Sequence, residues 1–124
     1  MSTMRKALKI LSLLAFVGGI DLIVTAIVLM TGENPPEILN IAVIFLAALF
    51  ALLLGGLGIG AANVPVKAAK MLPVIVIGLL VSAADVALGI MSGVAIVSIC
   101  INALLVVGIA YTAHMVNKEY LARH

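Results

Sequence analysis

Four long apolar stretches are the feature that most constrains the fold of this chain. They cover about 10–31, 38–62, 73–92 and 94–115. Each has close to the roughly 20 residues that a helix needs to cross about 30 Å of hydrocarbon. None shows the alternation of apolar and polar residues that is typical of a transmembrane β-strand. The sequence therefore predicts an all-α, integral membrane four-helix bundle that forms a single domain over residues 1–124.

The composition indicates that lipid rather than water surrounds the chain. Hydrophobic residues make up 65% of the sequence, charged residues make up 10%, and the mean hydropathy is +1.39. A soluble domain of this size cannot cover its surface with so few charges. The first apolar stretch continues past Asp21 without a small-residue cleavage pattern, so we interpret it as an uncleaved first helix rather than a signal peptide.

Turn and capping residues mark the ends of the predicted helices. Gly32 fits the end of the first helix, and the segment Glu33–Glu37 offers an N-cap, a first-turn proline and an acid for a capping box. The second helix is expected to stop before Pro65. Pro73 fits the first turn of the third helix, where its missing N–H costs little. The turn Met91–Val94 is so short that the last two helices must form a tight antiparallel hairpin.

Every basic side chain falls on one side of the four predicted spans. These residues are Arg5, Lys6, Lys9, Lys67, Lys70, Lys118 and Arg123. The other two loops contain no Lys or Arg. Because basic residues accumulate on the cytoplasmic side of membrane proteins, we expect both termini in the cytoplasm. A bacterial plasma (inner) membrane is the expected location.

A short repeat suggests that the two halves of the chain are related. AIVLMTG at Ala26–Gly32 matches ALGIMSG at Ala87–Gly93, 61 residues later, and Asp21 and Asp85 precede the two copies. This pattern predicts two tandem helical hairpins of parallel orientation. The alternative is a chance match between two segments drawn from the same few apolar residue types.

The two aspartates inside the spans call for a physical explanation. A charged aspartate at the centre of a span costs about 2.5–3.5 kcal/mol on insertion scales. No Lys or Arg lies inside a span to pair with Asp21 or Asp85. Three states remain for each acid: a neutral acid that donates a hydrogen bond, a carboxylate in a wet cavity, or a member of a pair that shares one proton.

Polar side chains on the same helix faces complete the candidate site. Thr25 shares a face with Asp21, and Ser82 shares a face with Asp85. Asn102 lies at the same predicted depth as Asp85 on the neighbouring helix, so we expect a hydrogen bond between them. The candidate proton- or cation-binding residues are Asp21, Asp85, Ser82, Thr25 and Asn102. No residue is predicted to be catalytic or to bind a metal.

Small residues define faces on which helices can approach closely. The predicted packing residues are Gly18, Ala51, Gly55, Gly56, Gly58, Gly60, Gly78 and Gly89. The run GGLGIG at 55–60 also suggests a nucleotide-binding loop, but it lacks a preceding strand and a P-loop lysine. Its place inside a membrane helix favours helix packing.

Two classes of function remain open. In the first, the protein is a structural or accessory membrane subunit that packs on copies of itself or on another membrane protein through the small-residue faces. In the second, it is a small oligomeric proton- or cation-coupled transporter or channel that uses Asp21 and Asp85. An enzyme, a cofactor or a nucleic-acid partner is not expected. The chain has a single cysteine, Cys100, two separated histidines and no tryptophan, so it lacks the side-chain clusters that bind metals and the aromatic surface that stacks on bases.

Overall fold

The computed structural model describes residues 3–32, 38–93 and 96–123, and within these ranges the chain is helical and has no strand. The long helices are α1 (Thr3–Thr31), α2 (Ile38–Asn63), α3 (Ala68–Ser92) and α4 (Ile96–Arg123). A short 3₁₀ turn, Pro65–Lys67, connects α2 to α3. All four helices are long and apolar enough to cross a membrane. The predicted all-α architecture with four potential spans is confirmed.

Three helix boundaries differ from the predicted spans. α1 begins at Thr3 because the basic N-terminal residues continue the helix beyond the apolar segment, and α4 extends to Arg123. α3 begins at Ala68, so the prediction that Pro73 lies in its first turn is wrong: Pro73 is inside the helix. The reason is that Ala68 and Met71 are both buried, which draws the preceding turn of the chain into the helix.

Three of the predicted helix ends are confirmed. α1 ends at Thr31, directly before Gly32. α2 ends at Asn63, two residues before Pro65. α3 ends at Ser92 and is capped by Gly93, which has a φ of 71° and donates its N–H to the carbonyl oxygen of Gly89 at 2.7 Å. Glycine adopts this left-handed conformation without the penalty that a side chain imposes. The predicted capping role of the segment 33–37 falls outside the described residues.

The four helices form a square in cross-section. α1 packs against α2 and α4, and α3 packs against the same two helices. α1 and α3 therefore lie on one diagonal, while α2 and α4 contact each other across the other. Consecutive helices are neighbours, as expected when short connections join antiparallel elements. This arrangement places Asp21 and Asp85 on the two helices that are diagonally opposed.

Backbones approach most closely between α1 and α2. A Cβ atom on Gly55 would lie 2.8 Å from the carbonyl oxygen of Ser12 and 3.0 Å from the backbone nitrogen of Phe16. A Cβ atom on Gly58 would overlap the hydroxyl group of Ser12. Because lipid tails are as apolar as the helices, this close packing supplies an attraction that the hydrophobic effect does not provide between membrane helices.

Candidate functional site

Asp85 is buried inside the bundle near the end opposite the basic residues. It lies on the inward stripe of α3 together with Gly78 and Gly89, whereas Ser82, which was predicted to share its face, is not among the buried residues of α3. Only 2% of its surface is exposed, and its Oδ1 atom has no hydrogen-bond partner among the described residues. A buried polar atom without a partner is uncommon in folded proteins and marks a place where a ligand, a water or a proton can act.

A narrow cleft leads to Asp85 between α2, α3 and α4. The lining residues are Asn40, Ile44, Asp85, Leu88, Gly89, Ser92 and Ile99. Asn40 lies in the first turn of α2, and the exposed Ser92 lies in the last turn of α3. The cleft therefore runs from the end of the bundle opposite the basic residues inward to the carboxyl group.

Asp21 has the opposite environment. It lies on the outer surface of α1, where it is exposed. Its neighbours on that surface are Val17, Val24 and Val28, which are 63%, 53% and 61% exposed. Asp21 and Asp85 belong to diagonally opposed helices, one facing outward and one inward, so a single chain does not bring the two carboxyl groups together.

Asn102 contacts α1 rather than Asp85. Its Nδ2 atom donates a hydrogen bond to the carbonyl oxygen of Gly18 at 3.0 Å, and its Oδ1 atom has no partner among the described residues. The predicted hydrogen bond between Asp85 and Asn102 is therefore wrong. Gly18 explains the difference, because a Cβ atom there would come within 3.2 Å of Asn102 Nδ2. The glycine leaves the space in which the amide reaches the backbone of α1.

The hydroxyl groups of Thr25 and Ser82 lie outside the Asp85 cleft. Both residues are half-buried. Ser82 lines a shallow apolar groove on the outer surface between α3 and α4, beside Ala83, Ala87 and Ala103. The five candidate polar residues thus occupy several separate places in the bundle.

Most of the predicted packing residues are used inside the bundle. Ala51, Gly55, Gly58, Gly78 and Gly89 are buried, and Gly18 contacts Asn102. Gly60 is half-buried near Lys67. Gly56 is exposed, and a Cβ atom there would meet no other atom within 4 Å. The small faces therefore hold the helices of one chain together and are largely covered.

Three residues with structural roles were missed from the sequence. Asn40 lines the Asp85 cleft, and Ser12 is fully buried against Gly58. Arg5 donates from Nε to the carbonyl oxygen of Ala62 at 2.7 Å and from its terminal nitrogen to that of Asn63 at 2.9 Å. The spacing Leu8, Ser12, Ala15, Gly19, Leu22, Ala26 could have identified Ser12 as an inward-facing residue. No local signal identified Arg5.

The basic end of the bundle contains a pocket of about 170 Å³. Its lining residues are Arg5, Pro65, Val116, Glu119, Tyr120 and Arg123. These residues belong to the start of α1, the turn between α2 and α3, and the end of α4. The three basic regions of the chain therefore meet at the same end of the bundle. In the part of the chain that is described, no three His, Cys, Asp or Glu side chains converge in a way that could hold a metal ion.

Comparison with known proteins adds no relative from which a role could be transferred. No protein-family model, curated protein or solved structure matches the chain. The case for function therefore depends on the geometry of this bundle alone.

Proposed function

We propose that the protein is a non-enzymatic membrane subunit that self-assembles through the outer face of α1. The observation that carries the proposal is the exposed position of Asp21 in the middle of that helix. In the bilayer this surface meets hydrocarbon, where a charged aspartate costs about 2.5–3.5 kcal/mol and even a neutral acid lacks a partner for its hydrogen bond. Covering Asp21 with a polar group from another chain removes most of this cost.

The proposed partner is a second copy of the same chain, because its own Asp21 lies at the same depth in the membrane. Two copies inserted in the same orientation place equivalent residues at the same depth, and a twofold axis along the membrane normal brings like surfaces together. Asp21 then meets Asp21 of the other copy. A protonated carboxyl group donates to an ionised or neutral one, so the pair satisfies itself without any further residue.

The surrounding surface of α1 suits such a contact. Val17, Val24 and Val28 are exposed on the same side as Asp21 and present a short, regular apolar surface. The small-residue faces, by contrast, support the proposal less than the sequence suggested, because Gly55, Gly58 and their neighbours are already buried within one chain.

The charge distribution supports an orientation for the assembly. Arg5 and Arg123 line one pocket at the basic end of the bundle. By the positive-inside bias, this end and both termini face the cytoplasm, and a bacterial plasma membrane is the proposed location.

Transport by one chain has weaker support. A coupled carrier needs its acids along a shared route, whereas Asp21 faces outward on α1 and Asp85 faces inward on the diagonally opposed α3. A proton or cation route that used both acids would have to pass between copies of the chain. Such a route would itself require self-assembly.

The test is the dimerisation constant in lipid, measured by energy transfer between labelled copies at varied protein-to-lipid ratios. Asp21→Leu should weaken dimerisation about three- to twentyfold, since polar contacts between membrane helices contribute about 0.6–1.7 kcal/mol. Asp21→Asn should keep most of the affinity because the amide still donates and accepts.

The control for this test is Leu104→Ala, which alters an exposed residue on α4 and should leave the constant unchanged. A wild-type chain that stays monomeric at every ratio would contradict the proposal. So would an Asp21→Leu variant that dimerises as tightly as the wild type.

A further inference from the structure

The cleft at Asp85 combines three features that the proposed assembly does not use. The carboxyl group is buried, its Oδ1 atom has no hydrogen-bond partner among the described residues, and a narrow cleft lies between it and one end of the bundle. In the described part of the chain, Ser12 Oγ and Asn102 Oδ1 are also buried without a partner, but of these three residues only Asp85 lines the cleft, where a ligand that enters from the end of the bundle could pair with its free oxygen. The geometry indicates an exchangeable ligand.

The surroundings of Asp85 contain no compensating charge in the described part of the chain. α2 contributes Asn40 and Ile44 to the cleft, α4 contributes Ile99, and α3 itself contributes Leu88, Gly89 and Ser92. None of these side chains titrates. α1 lies diagonally across the bundle, and its one aspartate faces outward. An ionised Asp85 would therefore be a buried charge with no cation to pair with among the residues that the structure describes.

The size of the cleft and its polar side chains limit which ligand can bind to Asp85. The passage is narrower than a water molecule, so a hydrated ion does not fit. A bare metal cation needs several oxygen ligands, typically six or more for Mg²⁺ and Ca²⁺. The described lining side chains offer oxygen atoms from only three residues, Asp85, Asn40 and Ser92, which is fewer than such a cation requires. A proton needs only one oxygen.

We infer that Asp85 is a proton-binding site that exchanges with the aqueous phase at the end of the bundle opposite the basic residues, through the cleft lined by Asn40. In the binding step a carboxylate oxygen of Asp85 takes a proton from a hydronium ion: one O–H bond of the hydronium ion breaks, one O–H bond forms on the carboxyl group, and a water molecule is released. Release is the reverse step. Because the cleft as it stands does not admit a water molecule, exchange requires it to widen, and the Asn40 amide at its mouth is placed to hydrogen-bond to the water that carries the proton.

The chain is well suited to a direct test because it contains only two aspartates. Protein labelled with ¹³C at the aspartate carboxyl carbons is reconstituted into proteoliposomes in the orientation that places the basic end of the bundle in the lumen. The infrared carboxylic-acid band of the label is then followed in two series: the external pH is stepped while the lumenal pH is held constant, and the lumenal pH is stepped while the external pH is held constant. Asp21→Asn leaves Asp85 as the only labelled group and assigns its band without altering the cleft.

We expect the Asp85 band to change reversibly with external pH and to ignore lumenal pH steps. Asn40→Leu should slow this response strongly, because it removes the polar side chain from the mouth. The matched control, Asn63→Leu, makes the same change at the other end of α2 and should respond as the wild type does.

A band that stays constant across the external pH range, or that follows lumenal pH, would overturn the inference. An unchanged response in Asn40→Leu would also contradict it. Asp85→Asn is not needed, so a folding defect at this buried position cannot obscure the result. The inference goes beyond self-assembly, and the band can be read in monomers and dimers alike, so failure of one proposal is distinguishable from failure of the other.

Discussion

At the scale of single residues, adjacent glycines in this chain have opposite surroundings. Gly55 faces α1 so closely that an added Cβ atom would lie 2.8 Å from the carbonyl oxygen of Ser12. Gly56, the next residue, faces outward with no atom near an added Cβ. Gly55 is therefore required for helix packing. Gly56 has no such role, and its glycine only lowers the stability of the helix.

This difference gives a matched pair of substitutions. Gly55→Ala should destabilise the folded bundle by about 1–3 kcal/mol, because the backbone of α1 has to move away. Gly56→Ala should be neutral or stabilise it by up to about 1 kcal/mol, because alanine is the better helix former. Reversible unfolding in mixed detergent micelles measures both changes. Equal effects of the two variants would show that α1 and α2 do not approach as closely as described.

At the scale of elements, the end of α2 depends on a side chain from α1. The last carbonyl groups of a helix have no partner within it. Arg5 supplies donors to the carbonyl oxygens of Ala62 and Asn63, and the N–H of Lys67 bonds to the carbonyl oxygen of Val64 in the following turn. The start of the first helix thus fixes the turn between the second and the third.

Removal of this contact should loosen that turn. Arg5→Met should speed hydrogen exchange at the amides of Val64 and Lys67 and lower stability by about 1.5–3 kcal/mol, the usual contribution of hydrogen bonds to a charged group. Lys6→Met removes the same charge from the neighbouring exposed position and serves as the control. Exchange that rises equally in both variants would indicate a general effect of charge rather than the loss of the cap.

At the scale of the whole molecule, the bundle has two chemically different ends. The start of α1, the turn after α2 and the end of α4 meet around one pocket that contains Arg5 and Arg123. The Asp85 cleft opens toward the other end, where Asn40 and Ser92 lie. This difference between the two ends is the basis for the proposed orientation in the membrane and for the inference that Asp85 exchanges protons with one side only.

The direction can be checked with reporters fused to either terminus. A reporter that is active only in the cytoplasm should work at both ends of the chain, because the start of α1 and the end of α4 both lie at the basic end of the bundle. Replacing Lys6 and Lys9 together with glutamine should increase the fraction of inverted molecules, while Arg5 and its contacts stay intact. Reporters that place the two termini on opposite sides would contradict the four-span topology.

Much of the architecture follows from the sequence by itself. Hydropathy predicted four apolar helices, and Gly93 and Pro65 predicted two of their boundaries. The inward stripes of α2 and α3, which include Ala51, Gly55 and Asp85, also followed from helical spacing. These features are local: each depends on the length of an apolar run, on the conformational limits of one residue, or on the period of one helix.

Only the tertiary structure decided how each helix is rotated about its axis. The sequence could not place Asp21 outward, turn Asn102 toward Gly18, or put Pro73 inside α3. In a soluble bundle, a polar face and an apolar face fix this rotation, but these helices are apolar on nearly every side. Rotation is then set by the fit of small residues against large ones on neighbouring helices, as at Gly55, Gly58 and Ser12. That fit depends on the helices as a set, so it is absent from any one stretch of sequence.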